Sequence, residues 1–169
     1  EHINQYGANI ADRALTVRDG SKVKLQSVNG AVTVLNPNGD GSVADIILQG
    51  TNTEKAQLQL IADDSVTTGI ITAEQADLYI RTTGEETDTA ANDILVNQIL
   101  GTDARVELDS AGNILPMDAD ENLFVKLEGD ASLRLSATLD IGNPDHFARI
   151  DVPCTVYVDN VIYGDDKGY

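Results

Sequence analysis

Apolar and polar residues alternate with a period of two through most of this chain, and no other feature constrains its fold as much. In "SKVKLQSV", Val23 and Leu25 fall on one side and Lys22, Lys24 and Gln26 on the other. "AVTVLN" repeats this with Val32 and Val34, "AQLQLIA" with Leu58 and Leu60, and "ARVELDS" with Val106 and Leu108. The clearest pair is "NLFVKLEG" followed by "ASLRLSATLD", where Leu123, Val125 and Leu127 precede Leu133, Leu135, Ala137 and Leu139. "CTVYVDNVIY" closes the series through Val156 and Val158. A strand with this pattern buries one face and wets the other, as antiparallel sheets do.

Turn chemistry between these runs supports hairpins. "VNGA" (Val28–Ala31) places Asn-Gly between alternating segments, where both central residues must accept positive φ. "RDGS" (Arg18–Ser21) and "EGDA" (Glu128–Ala131) read the same way. About eight or nine strands, spaced at roughly ten residues, predict an all-β fold: an antiparallel β-sandwich or single jelly-roll-like barrel. One or two short helices interrupt it in this reading. "TAEQADLYI" has Thr72 and Gln75 spaced as a capping box. "NDILVNQIL" sets Ile94, Leu95, Ile99 and Leu100 nearer to helical spacing. Between them, "RTTGEETDTAAND" reads as a long acidic loop. No repeat of fixed period emerges and no low-complexity linker divides the chain. The expectation is therefore one domain over residues 1–169, with extended N-terminal (1–12) and C-terminal (164–169) segments.

The core must be aliphatic, since aromatic residues are 4% of the chain and Trp is missing. Charge limits the partners. Twenty-eight Asp and Glu face eleven Lys and Arg, giving a formal net charge of -17. Such a surface repels the phosphate backbone of nucleic acids and anionic membrane surfaces. It suits a saline, halophilic setting, because salt shortens the reach of repulsion between like charges. It equally suits an ordinary acidic extracellular protein, or one whose acids meet bound cations at subunit contacts. No apolar stretch approaches the length of a membrane-spanning helix, so membrane insertion is not expected. The start at Glu1 fits a chain freed from a leader by proteolysis, or one cut for expression.

Candidate chemistry is sparse. In "NPNGDGS", Asn36, Asn38, Asp40 and Gly41 match the first half of an EF-hand loop. Ile47 stands where the bidentate carboxylate would be, so the stretch reads as a turn. "MDADEN" brings Asp118, Asp120 and Glu121 together before a strand. These three are the candidate metal ligands, for a cation such as Ca2+ shared with acids of other loops at an interface. No other cofactor is implied. The lone Cys154 rules out an intrachain disulfide and reads as a buried thiol, with neither His2 nor His146 near it in sequence. None of the hydrolase, metalloprotease, P-loop or dinucleotide-binding motifs is present, so a non-enzymatic role is expected and no catalytic residue is assigned.

"NLFVKLEGDASLRLSATLDIG" as a long hairpin, "CTVYVDNVIY" as a late strand and extended termini together resemble β-rich virion structural proteins. The class comprises single jelly-roll capsid subunits and capsid-decorating proteins. The resemblance implies a capsid or capsid-decorating subunit that self-assembles or binds a major capsid protein, in a virion or outside the cell. "EHINQYGANI" and "DDKGY" would then reach across to neighbours. Two other readings stand beside it: a subunit of an extracellular filament or surface layer, and a secreted carbohydrate- or calcium-binding β-sandwich.

Overall fold

The computed structural model of the protein describes residues 15–35, 44–84, 92–117, 124–142, 148–153 and 156–160. Its strands form two sheets, and every pairing between them is parallel. The first sheet contains β1 (Leu15–Arg18), β3 (Val32–Val34), β4 (Ile46–Gln49), β6 (Val66–Glu74), β8 (Ile94–Thr102), β10 (Ile114–Leu115), β11 (Phe124–Glu128) and β13 (Arg149–Asp151). The second contains β2 (Lys22–Gln26), β5 (Ala56–Ala62), β7 (Ala76–Thr82), β9 (Arg105–Ser110), β12 (Ser132–Ala137) and β14 (Val156–Asn160), in the order β14-β12-β9-β7-β5-β2. The chain passes from one sheet to the other and back, each circuit adding one rung to a parallel β-solenoid. The spatial order β1-β4-β6-β8-β11-β13 gives six rungs. At about 4.8 Å per rung the stack is about 24 Å tall.

Both the antiparallel sandwich and the jelly-roll barrel are overturned by this topology. The turn signals mark real turns, but the strands they join do not pair: β1 pairs with β4, not β2, and β11 pairs with β8 and β13, not β12. A tight two-residue connection between neighbouring strands requires antiparallel pairing. Here the same residues make an arc from one sheet to the other. Gly20, Gly30 and Gly129 do have positive φ, as their turn chemistry demanded. The expected helices are strands too, since "TAEQADLYI" spans the end of β6 and all but the last residues of β7, and "NDILVNQIL" leads into β8. The helix-like spacing in β8 has a local cause. Inward-facing residues run Ile94, Val96, then Ile99, because the strand bends at Asn97 and the alternation slips by one. In β6 the slip occurs at Gly69, one rung away.

The interior is built of vertical ladders in register. One runs Leu25, Leu60, Ile80, Leu108, Leu135, Val158 through the second sheet. Another runs Leu15, Ile46, Ile71, Ile99, Val125, Ile150 through the first. Members on the middle rungs are fully buried; those on the end rungs are half-exposed or, for Val158, 55% exposed. Short side chains (Ala56, Ala76, Ala104 and Ala131) occupy the start of the second-sheet rungs, all buried, where the chain folds over from the first sheet.

Stacked residues are twenty positions apart at the shortest. Leu58 pairs with Leu78 and Ile94 with Ile114, each twenty positions on. Other rungs are longer: Val66 pairs with Ile94 and Ile114 with Ile141. Extra residues enter between β3 and β4, between β7 and β8, and between β10 and β11.

Candidate binding surfaces

The outer faces of the two sheets differ in chemistry because the outward half of each alternation differs. On the second sheet the central outward row is Lys24, Gln59, Tyr79, Glu107, Arg134, Tyr157. It is flanked by Lys22, Gln57, Asp77, Arg105, Ser132 on one side and by Gln26, Ile61, Arg81, Asp109, Ser136 on the other. Among the described side chains this face gathers five of the eleven basic residues but three of the twenty-eight acidic ones. Its carboxylates are engaged: Asp77 lies 3.8 Å from Lys55 Nζ, and Asp109 lies 3.4 Å from Arg81 Nε. Glu107 serves two cations, with Oε2 3.4 Å from Arg105 and Oε1 3.8 Å from Arg134. Such exposed pairs contribute little to stability, about 0–1 kcal/mol each. They set the charge pattern of the face. Around the shared carboxylate lies a shallow depression of about 630 Å³, lined by Arg105, Glu107, Ser132, Arg134 and Tyr157 among others.

On the first sheet the outward rows are mostly uncharged, apart from the row Arg18, Gln49, Glu74, Thr102, Glu128 along one margin. One runs Thr16, Ile47, Thr72, Leu100, Lys126, Asp151, and another Thr33, Thr67, Leu95, Leu115. Ile70, Gln98, Phe124 and Arg149 form a third, in which the Arg149 guanidinium sits 5.6 Å from the centre of the Phe124 ring. Ile47, Ile70, Leu95, Leu100, Leu115 and Phe124 are all half-buried on the outside of the solenoid. Lys126 and Glu128 pair at 2.8 Å on its rim. The hydrogen bond between them, and then their mutual attraction, holds the lysine above its ordinary value and the glutamate below. The glutamate's share of stability is present above its unfolded pKa and lost as pH falls through the depressed folded one. The lysine's is present below its unfolded pKa and lost as pH rises through the elevated folded one.

Polar groups inside the solenoid secure its corners. Asp45, 7% exposed, accepts from Ile70 N through Oδ2 at 2.7 Å and donates its own N–H to Ile70 O at 2.8 Å. Its carboxylate packs against Gly69, where a Cβ has no room. Asn97 does the equivalent two rungs on, accepting from Met117 N at 2.6 Å. At another corner Thr82 Oγ1 donates to Asn92 O at 2.6 Å and accepts from Ala111 N at 2.8 Å. Asn113 donates to Asp93 Oδ1 from both its backbone and side-chain amide, at 2.7 and 2.9 Å.

Asp118, Asp120 and Glu121 lie outside the described residues, as do the stretch 36–43, Cys154, His2 and His146. Their flanks are placed, however. Leu35 follows β3 and Met117 follows β10, and both strands stack on the same halves of β6 and β8. Leu35 and Met117 therefore sit at one corner of the solenoid, three rungs (about 14 Å) apart. Among the described residues, no group of three or more His, Cys, Asp or Glu is placed to hold a metal ion. No described helix is long and apolar enough to cross a membrane. The sequence names every outward residue of the two faces, but only the register between rungs assigns them to one face or the other. Comparison with protein-family models, curated proteins and solved structures gave no match in any of the three.

Proposed function

We propose that this chain is a non-enzymatic structural subunit of an extracellular or virion assembly, associating with copies of itself through the outer face of the first sheet. The observation that supports this reading is the uncharged apolar surface made by Ile47, Ile70, Leu95, Leu100, Leu115 and Phe124. A chain of net charge -17 repels its own copies over most of its surface. Two copies meet least repulsion where acids are sparse, and apolar residues there gain by being covered. A solenoid grows along one axis, which suits a filament, surface layer or virion appendage better than a curved shell tile.

The test is the mass of the protein in solution by light scattering, for the wild type and for Ile47→Glu with Leu100→Glu. Wild-type oligomers, against a folded monomer for the double variant, are the expected outcome. A wild-type monomer at every salt and protein concentration would remove the assembly reading.

A further inference from the structure

We infer that the outer face of the second sheet holds a binding site for a short uronate-bearing saccharide, centred on Arg105, Arg134 and Tyr157. Charge is the first argument. In a strongly acidic chain, this face concentrates cations, so it is the place where an anionic ligand meets attraction. The second is the incomplete neutralisation at its centre. Glu107 offers one carboxylate to two guanidiniums, at 3.4 and 3.8 Å, and both arginine side chains stay more than half exposed. Each guanidinium carries five N–H donors in a planar fork that fits a carboxylate with two parallel hydrogen bonds.

The third argument selects a sugar over an acidic peptide. An extended peptide is usually captured at a sheet edge, by pairing with free backbone groups. The backbone of β9 and β12 is consumed by neighbouring strands, so between Arg105 and Arg134 recognition falls to side chains, although β14 ends the sheet. Those available are two arginines, the Ser132 hydroxyl and the ring of Tyr157, which is 67% exposed beside Arg134 in the next rung. A ring presents a flat apolar surface with a polar tip, which covers the C–H face of a pyranose while the arginines take its carboxylate. From β9 to β14 is two rungs, about 10 Å, the span of a short oligosaccharide. A long polyanion is disfavoured, because it would run onto the acidic remainder of the molecule.

The test is a calorimetric and NMR titration of the full chain with a tri-uronate, against a neutral trisaccharide and an oligoglutamate of equal charge. The expected result is tri-uronate binding that shifts the amides of β12 and β14. Arg134→Ala and Tyr157→Ala should each weaken it by about tenfold or more while leaving the thermal midpoint unchanged. Ile47→Glu with Leu100→Glu, on the other sheet, should bind as the wild type does, which separates this site from the assembly face. Absence of tri-uronate binding, equal binding of the neutral sugar, or equal binding of the oligoglutamate would each overturn the inference.

Discussion

Thr68 shows how a single residue can act against the fold it sits in. Its side chain points inward in the ladder Val34, Thr68, Val96, fully buried, and its hydroxyl has no hydrogen-bond partner among the described residues. A buried hydroxyl without a partner costs stability that a methyl group of the same shape does not. Thr68→Val should therefore raise stability by about 1 kcal/mol in urea unfolding. A lowered midpoint would mean that the hydroxyl is satisfied after all. Gly129 carries the opposite lesson. It turns the chain at φ +73, in register with Asp103 at φ 52 and Gln75 at φ 46 on the rungs below. A Cβ there would also collide with the Asp103 carboxylate, which accepts from Asp130 N at 2.7 Å. Gly129→Ala should cost about 1–2 kcal/mol, read from the same unfolding curve. A neutral result would show that the arc relaxes without strain.

At the scale of the element, strands are stabilised by their place in a ladder rather than by their own sequence. Leu25 and Leu108 belong to one ladder, but Leu25 sits half-exposed on the first rung and Leu108 is fully buried on the fourth. Leu108→Ala should cost about 2–5 kcal/mol, as buried leucines do, and Leu25→Ala about 1 kcal/mol. Equal losses would contradict a stack with distinct interior and end rungs. Much of this level was legible in the sequence. The alternation in "KVKLQ", "AQLQLIA", "RVELDS" and "SLRLSA" marks β2, β5, β9 and β12 as strands with one wet face. Their pairing was not legible, because the same alternation serves an antiparallel sheet and a solenoid with one wet face. Parallel sheets usually have both faces covered and show continuous apolar runs; here no described residue covers the outside. No fixed period marks the rungs, because stacked residues lie from twenty (Leu58 and Leu78) to thirty-five (Lys22 and Gln57) positions apart. The bend at Asn97 gives β8 its helix-like spacing, and Thr72 and Gln75 sit a capping box apart across the corner between β6 and β7. The candidate ligands Asp118, Asp120 and Glu121 fall between β10 and β11. The binding faces, by contrast, depend on which rung stacks on which, so no reading of a single stretch could assemble Arg105, Arg134 and Tyr157.

For the whole molecule, the excess of carboxylates is a collective property that no single pair explains. Repulsion among them opposes the compact state and is screened by salt over about 10 Å at 0.1 M and about 3 Å at 1 M. The thermal midpoint should rise with sodium chloride across that range; a midpoint that falls would show that attractive surface pairs dominate instead. Both outer faces exist only if the rungs stack in parallel, and inter-strand backbone NOEs in solution test that stacking most directly. Parallel pairing predicts contacts that keep a constant difference in residue number within each strand pair: Leu60 beside Ile80, Ile80 beside Leu108, Leu108 beside Leu135. Contacts that instead keep a constant sum, such as Lys126 opposite Leu133 across a hairpin at Gly129, would contradict the solenoid and the two surfaces built on it.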